Sequence, residues 1–237
     1  MGQSIVSLCK EREDVVIKYA VEHPKHKLIG NSIYSDKEIK TFKLDDIKLS
    51  HLPSNINVDF IIDFSLPSSA IQLARKAGQL KIPFVTGTTG FNKRQINELK
   101  KISKKIPILQ SYNMSIGINI IIKILKENIK YFGDTDLEIT ETHHKEKIDS
   151  PSGTALLLAD SIVTFSGKNN PKKINYRGKS NSKKRKKEEI GISVLRGGNI
   201  VGEHKISSFG QKENIYLTHE ALDREIFSRG SIDLGLK

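Results

Sequence analysis

The chain has 237 residues, of which 37% are hydrophobic, so it can form one large domain or two small ones around an apolar core. Its single cysteine excludes an intrachain disulfide, and no apolar run is long enough to cross a bilayer. We therefore expect a cytoplasmic protein without a membrane partner. A net charge of +12 admits a nucleic-acid partner, but nine of the lysines and arginines fall within residues 171–187, leaving +3 on the rest.

The first half of the sequence alternates short apolar strands with helices. Such alternation is typical of βαβ units in a parallel sheet. We therefore predict a Rossmann-like α/β domain over residues 1–114. The predicted strands are 14–22, 57–65, 82–90 and 106–111, and the predicted helices are 5–13, 68–78 and 92–105.

The pattern changes after Asn113. Strands that cluster in the second half predict an α+β domain over residues 115–224, followed by a C-terminal helix, 225–237, that returns to the first domain. The predicted helices are 115–133, one that ends near 165 and one from about 222, and the predicted strands are 136–142, 192–196, 203–209 and 214–219.

The basic segment, residues 171–187, contains no acidic residue. Such a composition favours a solvated loop, with attraction of an anion or a polynucleotide as an alternative and a nuclear address as a weaker one. Aromatic residues do not alternate with the lysines to stack on bases, which weakens the case for RNA. We therefore do not expect a nucleic-acid partner.

Polar residues end three of the predicted strands, where ligands bind in an open parallel sheet. Glu22 ends the first strand, where a carboxylate typically binds the adenosine ribose about 20 residues after a glycine-rich loop. The turn at 87–90, "GTTG", is a candidate wall for the nicotinamide ribose. On spacing alone, Glu22 can equally be a surface acid, and residues 87–90 can be a plain turn.

The phosphate-binding loop is harder to find. Counting back about 20 residues from Glu22 reaches Gly2, which can supply only the last glycine of such a loop. We therefore expect that the first strand and most of the loop are missing, which would weaken cofactor binding and leave strand edges unpaired. His23 is a weaker anchor than arginine for the 2′-phosphate of NADP, so we expect NADH to be preferred, or neither cofactor strongly.

Residues 141–160, "ETHHKEKIDSPSGTALLLAD", combine titratable side chains with the start of a helix. The first N–H groups of a helix lack internal partners and attract anions, Gly153 lets a ligand approach the backbone, and Thr154 adds a hydroxyl. Lys147 can serve as counter-charge or proton donor. The adjacent histidines point to opposite faces of a strand and are poor joint metal ligands. These residues alone leave a substrate site and a simple helix cap open.

Several motifs together carry a family resemblance. The segment "ETHHKEKIDSPSGTA" matches the signature E-x-HH-x-x-K-x-D-x-PSGTA of bacterial dihydrodipicolinate reductases, also called 4-hydroxy-tetrahydrodipicolinate reductases. The chain resembles this family over essentially its whole length. Further motifs follow in the family's order: "DFSLP" (63–67), "GTTGF" (87–91), "NMSIGIN" (113–119), "LRGGNIVGEHKI" (195–206) and "LTHEALDREIFSRGS" (217–231).

The resemblance implies roles for individual residues. His143 would be the acid/base residue and Lys147 a proton donor, while His144, Gly153 and Thr154 would contact the carboxylates of the substrate. Hydride from NADH or NADPH would reduce a cyclic dicarboxylate imine to tetrahydrodipicolinate, on the route to diaminopimelate and lysine, without a metal. The residues implied to line the cofactor are Glu22, Gly87, Thr88, Thr89, Ser111, Tyr112, Asn113 and Met114.

The chain also departs from the family's pattern. The family opens with a strand and a G-x-x-G-x-M-G loop, of which Met1 and Gly2 match only the end, and it continues past the point that matches Lys237. The resemblance further implies a homotetramer built through the second domain. Alternatives are an inactive fragment of the enzyme, a related imine or aldehyde oxidoreductase and, more remotely, a nucleic-acid binder that uses the basic segment.

Overall fold

The computed structural model describes residues 1–132, 134–167, 172–178 and 184–237. These residues form two compact units. The first unit consists of Met1–Ser111 together with Ser228–Lys237, and the second of Tyr112–Phe227.

The first unit alternates helices with parallel strands. Strands β3, β4 and β5 form a parallel sheet in that order, and β1 and β2 form a separate parallel pair. The elements are α1 (Gly2–Cys9), β1 (Ala20–Val21), α2 (Asp36–Phe42), β2 (Leu49–Ser50), β3 (Ile61–Asp63), α3 (Pro67–Leu80), β4 (Phe84–Thr86), α4 (Lys93–Ile102) and β5 (Ile108–Gln110).

Helix α3 shows how the sequence directs the packing of the first unit. It begins with Pro67 in its first turn, where a missing N–H group costs no hydrogen bond. Its buried residues recur at helical spacing, and most are alanines, so the helix backbone can lie close to its neighbours. The core contains Ala70, Ile71, Ala74, Ala77, Phe84, Phe91, Leu99 and Ile106.

The prediction of a strand over residues 14–22 is wrong for most of its length. Only Ala20 and Val21 find a neighbouring strand, β2, and the side chain of Val16 is 65% exposed. Apolar residues alone do not form a strand where no partner offers backbone hydrogen bonds. The sequence analysis also missed α2, although Ser35 and Glu38 form a capping box at its start.

The second unit contains a five-stranded mixed sheet in the order β10-β9-β6-β8-β7. Strands β6, β7 and β8 run parallel, and β9 is antiparallel to both β6 and β10. No helix in the described part of the chain is long and apolar enough to cross a membrane. The elements are α5 (Ile116–Asn128), a 3-10 helix (Ile129–Phe132), β6 (Asp136–His143), α6 (Gly153–Ser166), β7 (Lys173–Tyr176), β8 (Glu189–Arg196), β9 (Gly202–Phe209), β10 (Asn214–Ala221) and α7 (Glu225–Gly235), which belongs to the first unit from Ser228 onward.

Strand β6 is the centre of this sheet, and its residues alternate between buried and half-buried. Leu137 and Ile139 occupy the buried face and pack in a core that also contains residues of α5 and α6. Because side chains alternate along a strand, Glu141 and His143 fall on this same buried face. Strand β6 therefore places two titratable side chains, Glu141 and His143, in the buried interior.

The basic segment is not simply a solvated loop where the structure describes it, which corrects that interpretation for residues 172–178 and 184–187. Arg177 and Arg185 are partly buried and form ion pairs with Glu138 of β6. Arg177 also pairs with Glu189 of β8, at an Nη1–Oε2 distance of 3.2 Å. Acids of the same sheet therefore partly neutralise the segment. Residues 171 and 179–183 lie outside the described residues.

The core of the second unit can be tested by truncating Leu158, a fully buried side chain of α6. Leu158→Ala should lower the free energy of unfolding by about 2–5 kcal/mol, because it removes buried methyl groups and leaves a cavity. Urea denaturation followed by circular dichroism measures this change. Leu222→Ala is the matched control, since Leu222 is 82% exposed, and it should change stability by no more than about 0.5 kcal/mol. Equal losses in the free energy of unfolding of the two variants would contradict the placement of Leu158 in the core.

Candidate active site

The two adjacent histidines of the motif lie in different surroundings. His143 ends β6 on its buried face and is 6% exposed, whereas His144 is half-buried. The Nε2 atom of His144 lies 3.0 Å from Nη2 of Arg224. Because a guanidinium group can only donate, this ring nitrogen of His144 accepts the hydrogen bond.

Glu141 is fully buried beside His143 and is held by several donors. Its two carboxylate oxygens accept from the Ser152 N–H group at 3.0 and 3.1 Å, and one of them accepts from Nη2 of Arg196 at 3.0 Å. Nε2 of His204 lies 3.6 Å from the other oxygen. Burial by itself raises the pKa of Glu141, but these neighbours together lower it to about 2. Glu141 is therefore an anion at neutral pH.

Arg196 fixes the turn between β6 and α6. Its Nη2 atom donates to the carbonyl oxygen of Asp149 at 2.7 Å as well as to Glu141. The Ser152 N–H group, three residues further along, donates to the same Glu141 carboxylate. One charge-assisted ion pair therefore holds the turn at two positions close to the start of α6. Glu141 and Arg196 were not predicted as site residues, although they lie in the motifs "ETHHKEKIDSPSGTA" and "LRGGNIVGEHKI".

His143 is kept neutral by its surroundings. Its Nδ1 atom is buried and makes no hydrogen bond with the described residues, and the nearest carboxylate oxygen, on Glu141, is 3.7 Å away. The ring of His204 packs edge-on against it, with the ring centroids 5.1 Å apart. Burial, followed by the effect of His204, lowers the pKa of His143 to about 4. At neutral pH the ring of His143 is therefore uncharged, so it can accept a proton but cannot donate one as an imidazolium.

Glu141, His143 and His204 also bring three possible metal-ligand atoms within 4.8 Å of one another. The cluster does not suit a cation, because the positive charge of Arg196 already lies 3.0 Å from the carboxylate. In addition, Oγ of Ser152 lies 3.1 Å from the Nε2 atom of His204. We therefore assign no metal to these residues, and the wider expectation of a metal-free enzyme stays a prediction.

Two cationic side chains lie near the turn. Nζ of Lys147 forms an ion pair with Asp149 at 2.8 Å, and the lysine side chain is 22% exposed. Arg224 is exposed and contacts His144. The sequence analysis did not select Arg224, although it stands in the motif "LTHEALDREIFSRGS", because nothing local distinguishes it from a surface arginine.

The start of α6 is open to a ligand. Ser152 caps the helix, its Oγ atom accepting from the N–H group of Ala155 at 3.2 Å. Gly153 is exposed, and a Cβ atom built there would meet no described atom within 4 Å. Thr154 follows, and its Oγ1 atom accepts from Nδ2 of Asn113 at 2.9 Å. The structure thus brings Asn113, Gly153 and Thr154 together at a helix end that favours anions.

In the first unit, the predicted cofactor residues differ in what they can offer a ligand. The hydroxyl of Thr88 donates to the buried carboxylate of Asp63 at 2.7 Å, so this side chain is engaged internally. Gly87 packs so closely against an aromatic ring that a Cβ atom would lie 2.0 Å from it. That close packing is enough to explain why residue 87 is a glycine, and no bound ligand is needed to explain it. Glu22 and Thr89 are exposed.

Residues 111–114 follow strand β5. The N–H group of Ser111 donates to the carbonyl oxygen of Thr86 at 3.1 Å and continues the pairing of β5 with β4. The side chain of Tyr112 is half-exposed, whereas Met114 is buried. Asn113 is also buried and contacts Thr154, so neighbours predicted to share one role lie in different surroundings.

The fold is similar to that of a dihydrodipicolinate reductase from Paenisporosarcina sp. TG-14 with dipicolinate bound. The TM-score is 0.73 at 24% identity, over 99% of this chain and 89% of that chain. At this identity the likeness concerns the fold alone, and it confirms a Rossmann-like domain with a second, α+β domain. The fold therefore defines a two-domain protein of the Rossmann-like class, whose second unit carries a buried neutral histidine, a lysine and a helix start that favours anions.

Family models match both halves of the sequence. The model "Dihydrodipicolinate reductase, N-terminus" matches residues 1–114, and "Dihydrodipicolinate reductase, C-terminus" matches 117–235. The chain belongs to the dihydrodipicolinate reductase family, whose members are nicotinamide-dependent oxidoreductases.

Two relatives show the extent of the similarity. A 4-hydroxy-tetrahydrodipicolinate reductase of Clostridium tetani is 46% identical over 181 residues, covering 76% of this chain and 69% of that protein. The enzyme of the same name from Clostridium novyi is 42% identical over 235 residues, covering 98% and 90%. The similarity to the second relative extends over nearly the whole chain, which confirms the resemblance seen in the motifs.

The anchoring role of Glu141 can be tested with an isosteric substitution. Glu141→Gln should lower the free energy of unfolding by about 3–5 kcal/mol, because it leaves the partly buried Arg196 without its anion. Urea denaturation measures the loss. Glu146→Gln is the matched control, since Glu146 lies in the same segment with its side chain 78% exposed, and it should leave the denaturation midpoint unchanged. An unchanged midpoint in the Glu141 variant would contradict the anchor.

The low pKa of His143 predicts a loss of stability in acid. The unfolded chain binds a proton at this histidine near its ordinary pKa of 6.5, but the folded chain does so only near pH 4. The unfolded state therefore holds more protons between these values, and stability should fall by about 3 kcal/mol as the pH drops from 6.5 to 4.

His143→Gln should remove this part of the pH dependence, as measured by urea denaturation at several pH values. His51→Gln, at an exposed histidine, is the control and should keep the original slope. If the free energy of unfolding of the His143 variant falls as steeply with decreasing pH as that of the unaltered chain, the burial of a neutral ring is contradicted.

Proposed function

We propose that this chain catalyses the NAD(P)H-dependent reduction of 4-hydroxy-tetrahydrodipicolinate to tetrahydrodipicolinate, with release of water, on the diaminopimelate route to lysine. One observation carries the proposal: the second unit combines a neutral, buried His143 and the ammonium group of Lys147 with an open helix start that suits a carboxylate. The relatives from Clostridium tetani and Clostridium novyi, both named 4-hydroxy-tetrahydrodipicolinate reductase, support this substrate.

A dicarboxylate substrate needs two anion-binding places. The start of α6 is one, where the backbone at Gly153 and the hydroxyl of Thr154 can donate to a carboxylate. Arg224 is the other, since an exposed guanidinium group matches a carboxylate with two parallel hydrogen bonds. His144 accepts a hydrogen bond from Arg224 and so helps to orient it.

The reduction requires a proton in addition to a hydride. Lys147 is the group we assign as proton donor, because its ammonium group lies in the turn at the site, in an ion pair with Asp149. His143 is neutral at neutral pH, since burial lowers its pKa to about 4. We therefore assign to His143 the acceptance of the carbon-bound proton that the substrate loses when its hydroxyl leaves as water, and not the donation of a proton.

A nicotinamide cofactor, when bound, supplies the hydride. Glu22 is exposed at the end of β1, where its carboxylate suits the hydroxyls of a ribose, and Thr89 is exposed beyond the end of β4. Gly87 and Thr88 can offer backbone groups. Glu22 with the exposed His23 favours NADH, or little preference between NADH and NADPH. We also assign Ser111, Tyr112 and Met114 to the cofactor.

We also propose that the chain works as a cytoplasmic homotetramer assembled through the second unit. Large apolar side chains stay exposed on its strands, and such surfaces often mark interfaces between subunits. The single cysteine, which is buried, fits a reducing compartment. The exposed side chains are Leu195 of β8, Phe209 of β9, and Ile215 and Tyr216 of β10.

The proton-transfer roles predict a specific kinetic result. His143→Gln and Lys147→Met should each lower turnover by about 10²–10⁴-fold, because each removes a group that handles a proton in the reaction. The affinity for NADH should stay nearly unchanged. Turnover is measured as NADH oxidation with freshly made product of dihydrodipicolinate synthase, and NADH affinity by titration calorimetry.

Lys145→Met is the control, because the side chain of Lys145 is 70% exposed and it should leave turnover unchanged. An equal loss of NADH affinity in the His143 and Lys147 variants would contradict their assigned roles. A folded, unaltered chain that binds NADH but does not turn over this substrate would contradict the proposed reaction.

A further inference from the structure

The amide group of Asn113 has a defined orientation. Asn113 is 5% exposed, and its Oδ1 atom accepts from the N–H group of Ser115 at 2.8 Å. A backbone N–H group can only donate, so the oxygen of the amide must face Ser115. The nitrogen, Nδ2, therefore faces Thr154, where it donates to Oγ1 at 2.9 Å.

This orientation determines what the hydroxyl of Thr154 can do. A hydroxyl group has one hydrogen to donate and two lone pairs that accept. Because Nδ2 of Asn113 donates to Oγ1, the hydrogen of Thr154 points elsewhere and is available to an acceptor. A carboxylate offers only acceptors, so a Thr154 hydroxyl held in this way is matched to an anionic ligand at the start of α6.

The surroundings of Asn113 keep this arrangement in place before any ligand arrives. Nδ2 of Asn119 donates to the backbone carbonyl oxygens of Asn113 and Ser115, at 3.2 and 2.8 Å. Ser115 caps α5, and its Oγ atom lies 3.0 Å from Nε2 of His219 on β10. The backbone from Asn113 to Ser115 is therefore anchored to α5 and, through the Ser115 side chain, to β10.

We propose that Asn113 is a positioning residue of the substrate site: it holds the Thr154 hydroxyl as a hydrogen-bond donor to one carboxylate of the substrate. This inference rests on the proposed function, because it requires a carboxylate to dock on Thr154. It gives Asn113 a role on the substrate side, in place of the cofactor role that the resemblance implies.

Asn113→Asp tests the proposal with almost no change in size. A carboxylate at this position still accepts from the Ser115 N–H group, but it replaces the donor towards Thr154 with an acceptor. The Thr154 hydroxyl should then turn towards residue 113 and away from the ligand. We expect the Kd for pyridine-2,6-dicarboxylate to rise at least about tenfold, with KM for the substrate rising and kcat within about twofold of its original value.

A second substitution separates the orientation of the hydroxyl from simple charge repulsion. Thr154→Val removes the hydroxyl and should itself raise the Kd for pyridine-2,6-dicarboxylate. In the Thr154→Val background, Asn113→Asp no longer acts through the hydroxyl, so the fold-change that it causes in the Kd should be smaller by at least about threefold than in the chain that keeps Thr154. Thr154→Ser keeps a hydroxyl, so in that background Asn113→Asp should again raise the Kd for pyridine-2,6-dicarboxylate.

Calorimetric titration of the full chain with pyridine-2,6-dicarboxylate, and separately with NADH, decides between the outcomes. Equal effects of Asn113→Asp with and without the Thr154 hydroxyl would overturn the inference, as would a loss of NADH affinity as large as the loss for the dicarboxylate. If Thr154→Val leaves dicarboxylate affinity unchanged, the docking of a carboxylate on Thr154 is itself wrong, and the inference falls with it.

The uncharged variant Asn113→Ser covers the case in which the aspartate variant does not fold. It removes the donor and leaves the Thr154 hydroxyl free to rotate, so the Kd for pyridine-2,6-dicarboxylate should rise about threefold. In the Thr154→Val background the same substitution should have no effect. A similar rise in that background would also overturn the inference.

Discussion

The carboxylate of Glu141 lies inside the second unit, and a buried charge is costly unless it is paired and hydrogen-bonded. Its partners come from separate elements: Arg196 ends β8, and Ser152 caps α6. Satisfying this one charge therefore fixes β6, β8 and the start of α6 relative to one another. The turn before α6, which places Gly153 and Thr154, depends on the same contacts of Glu141 with Arg196 and Ser152.

Burial also determines which of these side chains are neutral and which are charged at neutral pH. His143 lies on the buried face of β6, and the low pKa that results keeps it neutral beside an anionic Glu141. Lys147 and Arg224 lie where water reaches them. A neutral imidazole, a lysine and an exposed guanidinium group thus occur within one unit, because the sheet buries side chains on β6 and leaves those of the loops after its strands closer to water.

The starts of α3, α4 and α6 were predictable, because capping and proline preferences are local, although the capping box of α2 was overlooked. Helix α6 begins at the "PSGT" turn and ends close to the predicted position. Strand lengths were not predictable in the same way, since a strand needs a partner. The stretch 14–22 has the right apolar pattern, yet only Ala20 and Val21 pair. The basic segment looked solvated because the sequence does not show that Glu138 lies across from Arg177 and Arg185.

By itself the sequence determined the family, the succession of an α/β and an α+β domain, and the residue types available for proton transfer and anion binding. These properties follow from short motifs and local periodicity. Only the tertiary structure decided that Glu141 pairs with Arg196, 55 residues away, and that the amide of Asn113 donates to Thr154, 41 residues away. Such pairs are set by sheet register and helix packing, which bring distant residues together without leaving any trace in local spacing.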